Sequence, residues 1–481
     1  MSLKKIVLKG LLWTSIDKLG VQIIQFVLSI FIARILTPED YGTVALLYIF
    51  IAISNVFIDS GFGKALIQDN TQNKTDYSTV FYFNLGISIL CYIGMYFSAP
   101  FIAEFYKMPI LVDLTRVISI TLIINSFIII PNVIFSITLN FKPLAISRTI
   151  SSLAGGLIGL ITAYKGFGMW SLVYMSISSS ALLAIFQWFQ VRWLPSFCFS
   201  FQSLKKLYKF GYKLFFGALL DSIVRNLSSV FIGKVFDAKS LGFYSKGMGF
   251  SNLASNTIIS VLYSVLFPAF SSMKNDKDRL VFNLKKSIRY TALIVFPLFM
   301  LGAILAKPLI VILLTEKWIM AATILQFLIL ARMINMVALI NAQILQAIGR
   351  SDITLKQDIG KMTISIMFLI AAFKFGIVWI AVAELFATII NFNINTYATG
   401  KLFNFGTLKQ LKEIGNIFIS ALIASLIAFA LIFKIENNYF IIIIATFTLF
   451  TSYITLLILL KQRDFIDFKI VLLNNLKKIK W

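Results

Sequence analysis

The sequence contains no histidine and only two cysteines, Cys91 and Cys198, among its 481 residues. The absence of histidine excludes catalysis by imidazole and removes the commonest metal ligand. Two isolated cysteines in apolar or aromatic surroundings do not form a disulfide framework or a metal cluster. We therefore expect no catalytic residues, no metal site and no cofactor.

Charged residues are also scarce. They make up 13% of the chain, whereas 59% of the residues are hydrophobic and the mean hydropathy is +0.89. Soluble globular proteins do not reach this average. Apolar runs of about 20 residues recur from one end to the other, each long enough to cross a bilayer. Because lipid forces backbone polar groups to pair within each segment, the sequence predicts an all-α integral membrane protein.

Acidic residues are outnumbered by basic ones, 20 to 44, which gives a formal net charge of +24. No polar, ordered face is available for nucleic acid, so we expect no nucleic-acid partner. The Lys and Arg residues instead cluster at the ends of the apolar runs, mostly on the side of the N-terminus. The positive-inside rule then predicts a multi-pass protein with both termini in the cytoplasm. The first apolar run lacks a small-residue cleavage site and is interpreted as a retained span.

The apolar runs predict about fourteen spans joined mostly by short turns: 11–36, 43–67, 78–100, 112–137, 147–164, 168–190, 211–235, 242–268, 288–314, 320–347, 357–375, 377–399, 415–433 and 439–460. Two longer basic joints, 191–213 and 271–289, are typical of amphipathic segments on an anionic membrane surface. The longest external loops are too short for a catalytic domain. The predicted organisation is a six-helix lobe at 1–190, a cytoplasmic amphipathic linker at 191–213, a second six-helix lobe at 211–400, and two extra helices with a basic cytoplasmic tail at 401–481.

An internal repeat supports the two lobes. Residues 31–42, FIARILTPEDYG, resemble residues 231–242, FIGKVFDAKSLG. Further along, KGFGMWSLV at 165–173 resembles FKFGIVWIAV at 373–382. Six spans per copy is an even number, so both copies have the same orientation. We expect the lobes to be related by a pseudo-twofold axis along the membrane normal.

The few polar residues within the spans recur on one helical face, which predicts a polar cleft between the lobes. Asn, Gln and Ser also join neighbouring helices without any ligand, so this alternative stays open for each of them. The candidate substrate-binding cations are Arg225, Arg332, Lys18, Lys246 and Arg116. The candidate cleft-lining residues are Gln22, Gln25, Asn55, Asn252, Asn256, Asn335, Gln343 and Asn391. The candidate ion-coupling acids are Asp17, Asp59, Asp221 and Glu384.

The cations differ in how easily they are explained without a ligand. Asp221 and Arg225 are four residues apart on one helix and can neutralise each other. Lys18, Arg116 and Lys246 lie near span ends, where long side chains can reach the interface. Arg332 has no acid three or four residues away, so pairing within its own helix does not account for it.

Four sequence patterns resemble one known family. They are AR-x-L-x-P-x-x-YG at the end of the first span, GFG-x-W-x-LV at 166–173, LFPAFS at 266–271 and Q-x-L-x-A-x-GR at 343–350. Together they resemble the polysaccharide-transporter branch of the multidrug/oligosaccharidyl-lipid/polysaccharide exporter superfamily. Its members include the Wzx-type flippases and the colanic-acid exporters, and the resemblance covers essentially the whole chain.

The resemblance implies a flippase, not an enzyme, that moves undecaprenyl-pyrophosphate-linked oligosaccharides across the bacterial inner membrane by alternating access. The implied partners are the lipid-linked oligosaccharide, membrane lipids, H⁺ or Na⁺ as coupling ion, and a polysaccharide polymerase as a further candidate. Two alternatives are a multidrug or cation antiporter of the same superfamily and a non-transport membrane component of polysaccharide assembly. An antiporter would have an acid-dominated cavity, whereas arginine leads the mid-span charges here.

Overall fold

A computed structural model describes residues 3–69 and 72–460 together with residues 462 and 465. Within these residues the chain forms sixteen α-helices and two short 3₁₀ turns, and no strand. The helices are α1 (Leu3–Ile35), α2 (Pro38–Asp59), α3 (Phe62–Gln68), α4 (Lys74–Tyr106), α5 (Leu111–Ile118), α6 (Ile120–Ile137), α7 (Phe141–Tyr164), α8 (Trp170–Val191), α9 (Phe201–Val235), α10 (Ala238–Ser272), α11 (Lys277–Leu314), α12 (Ile319–Ala347), α13 (Ser351–Ala372), α14 (Ile377–Phe403), α15 (Thr407–Ile432) and α16 (Asn438–Leu459).

The predicted all-α membrane protein is confirmed. Thirteen candidate spans in the described part of the chain are long and apolar enough to cross a membrane. The eleventh predicted span, 357–375, corresponds to α13, which is not among these thirteen and carries four charged residues in its first half, the last of them Lys361. Most of the predicted basic C-terminal tail lies outside the described residues.

Two predicted spans differ in detail from the structure. The span predicted at 43–67 breaks after Asp59, because Ser60 and Gly61 both adopt left-handed backbone conformations. The span predicted at 112–137 is interrupted at Ser119, between α5 and α6. The first break was signalled by the GFG sequence at 61–63, since glycine readily adopts positive φ angles. In each case two helices follow one another within a single apolar run.

The helix starts follow local capping signals. Thr37 accepts a hydrogen bond from the backbone N–H of Asp40, whose carboxylate accepts one from the Thr37 N–H, and Pro38 occupies the first turn of α2. The same reciprocal arrangement joins Asn73 and Asp76 at the start of α4. These capping boxes satisfy N–H groups that have no partner within the helix.

The chain divides into two compact units, Met1–Ser245 and Lys246–Trp481. In the first unit, α7 packs against α1 and α8, while α6 packs against α4 and α8. A buried cluster that includes Phe62, Phe81 and Val133 joins α3, α4 and α6. In the second unit, α11 packs against α12, α15 and α16, and α14 packs against α12 and α13.

The predicted linker 191–213 is partly extended and partly helical. Ser196 and Ser200 donate their backbone N–H groups to the hydroxyls of Ser78 and Thr79 on α4, over 3.0 and 3.1 Å. From Phe201 onward the linker forms the first turns of α9, whose Leu207 is buried in the first unit. That this segment lies on the membrane surface remains a prediction.

The two copies of the repeated turn contact each other within the first unit. A Cβ added to Gly42 would lie 1.6 Å from the carbonyl oxygen of Ala238, and a Cβ added to Gly242 would lie 1.8 Å from that of Pro38. These reciprocal contacts require glycine, because the atom that a Cβ would meet belongs to the backbone and cannot rotate away as a side chain can. The first turns of α2 and α10 therefore cross at the positions that the repeat aligns.

Candidate functional site

Arg332 forms an ion pair with Glu384 in the second unit. Its Nη1 atom lies 3.0 Å from Glu384 Oε1, and the two side chains are 20% and 27% exposed. The sequence offered no acidic partner on the helix of Arg332, and the partner belongs to α14, which packs against α12. Pairing within its own helix does not account for Arg332, as expected, and pairing with a neighbouring helix does. The pair joins a candidate substrate-binding residue to a candidate coupling residue.

Arg225 and Asp221 form the predicted pair within α9. Arg225 Nε lies 2.8 Å from both carboxylate oxygens of Asp221, and the two side chains are 76% and 59% exposed. Because the pair is so exposed, it has room for a further ligand without displacing the helix. The predicted mutual neutralisation is confirmed.

The other candidate cations occupy three different environments. Lys18 is exposed, in agreement with the expectation for a span end. The guanidinium of Arg116 lies 4.3 Å from the ring centroid of Tyr96, an aromatic contact that stabilises a cation. Lys246 is buried, with its ammonium 5.8 Å from the ring of Trp318, so the expectation that it reaches the interface is wrong.

An ionic cluster in the first unit was not predicted as such. Arg148 Nη1 lies 2.9 Å from Asp17 Oδ2, and Asp17 is buried. Arg148 Nη2 also donates to Asn132 Oδ1 over 3.5 Å, and Gln187 donates to the same oxygen over 3.0 Å. The cluster joins α1, α6, α7 and α8. A signal was present in the sequence, since Arg148 lies just inside the predicted fifth span, where a charged side chain needs a partner.

Several candidate cleft residues bond neighbouring helices. Asn125 on α6 donates to Asn55 on α2 over 3.1 Å. Asn391 on α14 donates to Ser365 on α13 over 3.3 Å. These contacts favour helix association for Asn55 and Asn391.

Gln343 behaves differently from these residues. It is fully buried on α12, and neither of its side-chain polar atoms has a hydrogen-bond partner among the described residues.

The remaining candidates differ in how far they are exposed. Gln25 and Asn256 are exposed, whereas Gln22, Asn252, Asn335 and Asp59 are half-buried. Their role as cleft-lining or ion-coupling residues stays a prediction, as does the cleft itself.

A second buried polar cluster, missed by the sequence reasoning, attaches α15 to the second unit. Gln410 donates to Asn341 Oδ1 over 2.7 Å, and Asn341 donates back to Gln410 over 3.1 Å. Thr399 donates to Asn341 as well, over 2.8 Å. Each residue is fully buried and satisfied, so this cluster fixes the start of α15 against α12 and α14. Gln410 precedes the predicted thirteenth span, which explains why the pattern of that span did not include it.

An apolar cavity of about 460 Å³ lies between α11, α12, α14 and α15. Met333 and Val337 line it from α12, immediately after Arg332 along the chain. Ile389 and Phe392 contribute from α14, and Phe418 from α15. The cavity can accommodate hydrocarbon close to the helices that carry the Arg332–Glu384 pair.

The described residues contain no group of three or more His, Cys, Asp and Glu side chains placed to hold a metal ion. Outside the spans, Arg350 donates two hydrogen bonds to Asp352, over 3.0 and 3.1 Å. This contact holds the pKa of the Asp352 carboxyl below its usual value.

Comparison with known proteins gives one family and one fold. The sequence profile of a family described as "Polysaccharide biosynthesis protein" matches residues 31–323. The chain is 24% identical over 440 residues to the teichuronic acid biosynthesis protein TuaB of Bacillus subtilis (strain 168), covering 91% of each chain. It is 22% identical over 363 residues to the lipopolysaccharide biosynthesis protein WzxC of Escherichia coli (strain K12), covering 74% and 73%.

Among solved structures, the lipid II flippase MurJ in an inward closed conformation matches with a TM-score of 0.76 at 17% identity. The match covers 95% of this chain and 100% of that one.

Proposed function

This chain belongs to the polysaccharide biosynthesis protein family, and we propose that it moves lipid-linked oligosaccharides across the bacterial inner membrane. The observation that carries the proposal is the agreement of nearly the whole chain with the fold of a lipid II flippase. The resemblance to Wzx-type exporters noted in the sequence is confirmed by the family match and by WzxC. The chain is thus a multi-pass membrane protein with the fold of a transporter.

The proposed substrate is an oligosaccharide on undecaprenyl pyrophosphate, destined for a surface polysaccharide. Its pyrophosphate carries negative charge, and arginine binds phosphate oxygens with two parallel hydrogen bonds. Arg332 is half-buried and paired with Glu384. The pyrophosphate would replace the carboxylate as the partner of Arg332, and the apolar cavity beside α12 would take part of the polyprenyl chain.

Glu384 then supplies a route for ion coupling. A carboxylate that loses its arginine in an apolar environment is destabilised unless it binds a proton or a cation. Substrate binding at Arg332 would therefore favour uptake of H⁺ or Na⁺ at Glu384, and release would re-form the ion pair. The two events alternate on one pair of side chains, which fits an alternating-access cycle.

The test compares Arg332→Gln, Glu384→Gln and the double variant in cells and in proteoliposomes. We expect Arg332→Gln to abolish flipping, because the pyrophosphate loses its cation. The double variant removes both charges, so it should recover the abundance of the wild type while flipping stays absent. Arg350→Gln/Asp352→Asn removes an exposed pair and is the matched control.

Recovery of flipping in the double variant would mean that the pair only holds the helices together, and the proposed substrate site would be wrong. A cation antiporter would show the opposite dependence, losing transport with Glu384→Gln and keeping it with Arg332→Gln. Measuring surface polysaccharide at equal protein abundance separates these outcomes.

A further inference from the structure

A second cavity lies in the first unit, where the turn after α4 meets the turn between α9 and α10. Its volume is about 490 Å³, within the range of roughly 300–1,000 Å³ typical of small-molecule sites. The wall residues come from four places in the chain: Glu39 on α2, 105–108 at the end of α4 and just after it, Gly233, Lys234 and Phe236 at the end of α9, and 237–239 before and within α10. The 233–239 portion belongs to the second copy of the repeated turn.

The cavity is lined by both basic and acidic side chains. Three lysines, Lys107, Lys234 and Lys239, line it together with the acids Glu39 and Asp237. The carboxylate of Asp237 already accepts the backbone N–H of Ser240 over 2.6 Å and caps α10. Three lysines against two carboxylates leave the lining with a net charge of +1.

Lys234 is held in place by two contacts with one residue. Its ammonium donates to the backbone carbonyl of Phe105 and lies 4.1 Å from the centroid of the Phe105 ring. An ammonium has three donors, so this bond leaves others for a ligand in the cavity. The side chain is thus pre-positioned rather than free to sample solvent.

Tyr106 supplies the most specific observation. It is only 8% exposed, it lines the cavity, and its buried hydroxyl has no hydrogen-bond partner among the described residues. Leaving a buried polar group unsatisfied costs about 1–3 kcal/mol, so such groups usually serve a ligand or water. Gly233 faces the Tyr106 ring, with an added Cβ only 3.3 Å from Cε1, so there is little room for a larger side chain there.

We propose that this cavity binds an anionic sugar, a pyranose ring carrying a carboxylate or phosphate. The lysines would pair with the anionic group, and the rings of Phe105 and Phe236 would pack against the apolar face of the pyranose. The Tyr106 hydroxyl, which is enclosed in the structure, would bond a sugar oxygen once its ring turns toward the cavity. Much of the lining lies in turns beyond the ends of the spans, where sugars rather than acyl chains are found. On the predicted orientation this is the external side, so the site would hold the sugar of a unit that has just crossed, an inference that rests on the proposed function.

Binding is measured by calorimetry on the full chain in nanodiscs of neutral lipid. The probe is cellobiouronic acid, a glucuronosyl-glucose, and its neutral counterpart is cellobiose. We expect the wild type to bind the acidic disaccharide at least ten-fold more tightly than the neutral one. Tyr106→Phe and Lys234→Gln should each weaken it at least five-fold. Lys165→Gln, in another turn on the same predicted side, should leave it unchanged.

Tyr106→Phe removes only the buried hydroxyl, so its fold should be retained and its result is decisive. Binding of cellobiose as tight as that of the acid, or unchanged binding in Tyr106→Phe, would overturn the site. Displacement of the acid by phosphatidylglycerol at equal concentration would assign the cavity to a lipid headgroup and also overturn it. The measurement involves no transport step. A wild-type protein that bound the sugar but flipped nothing would contradict the proposed function and leave this site standing.

Discussion

At the residue scale, three arginines of the helices are paired with carboxylates. Arg332, Arg225 and Arg148 each have a carboxylate within 3.0 Å. Pairing lowers the cost of placing a charge in an apolar region, and breaking one partner leaves the other charge uncompensated. A ligand that binds such an arginine must therefore compete with the paired carboxylate. Substrate binding is thereby coupled to whether that carboxylate is charged or has bound a proton or a cation.

The Asp17–Arg148 pair should contribute to stability rather than to substrate binding. In Asp17→Asn, Arg148 keeps its charge and retains only amide oxygens as partners. Loss of one member of a buried pair costs about 3–5 kcal/mol, and because Arg148 is 38% exposed we expect about 1–3 kcal/mol. The measurement is the unfolding free energy of the purified protein in detergent.

Two controls accompany Asp17→Asn. Asp352→Asn breaks an exposed pair and should leave the unfolding free energy unchanged, because solvent screens that contact. Asp17→Asn/Arg148→Gln should lose less stability than Asp17→Asn alone, since no unpaired charge remains. Equal stability of Asp17→Asn and Asp352→Asn would show that the buried pair contributes nothing.

At the scale of the helices, the sequence predicted which segments are helical but not which helices touch. Apolar length and hydrophobic periodicity report the extent of a span and the direction of its faces. Glu384 was identified as a mid-span acid and Arg332 as a mid-span cation, yet their contact depends on the packing of α12 against α14. Likewise, the interruption at Ser119 between α5 and α6 could not be predicted, because no glycine or proline lies beside it.

The glycine crossing of α2 and α10 gives a prediction for these elements. In Gly42→Ala or Gly242→Ala the new Cβ would overlap a backbone oxygen, so the helix starts must separate. Overpacking of this kind costs about 1–3 kcal/mol. We expect a lower melting temperature and slower flipping for both variants. Either change alone separates the same contact, so the double variant should have a melting temperature only slightly below that of either single variant.

Gly94→Ala on α4 is the matched control, because an added Cβ there meets nothing within 4 Å. Replacing glycine by alanine inside a helix is stabilising by up to about 1 kcal/mol when there is space. The crossing would be unimportant if Gly42→Ala resembled Gly94→Ala in both melting temperature and transport.

At the scale of the whole molecule, the helix order supports the internal duplication. The helices α2, α4, α7 and α8 begin at Pro38, Lys74, Phe141 and Trp170, and α10, α11, α13 and α14 begin in the same order at Ala238, Lys277, Ser351 and Ile377. If each copy has six spans, α13 must cross the membrane as α7 does. Its charged first half makes it the exception among the predicted spans.

The position of Lys374, just after α13, decides whether this helix crosses. If it does, Lys374 lies on the same side as Lys165, the residue after α7, and both termini are cytoplasmic. In a background with Cys91 and Cys198 replaced by serine, a membrane-impermeant maleimide should label Lys165→Cys and Lys374→Cys in intact cells. It should label Lys274→Cys, between α10 and α11, only after permeabilisation. Labelling of Lys374→Cys only in permeabilised cells would place α13 on one side of the membrane. The second copy would then have five spans, and the C-terminus would lie on the opposite side from the N-terminus.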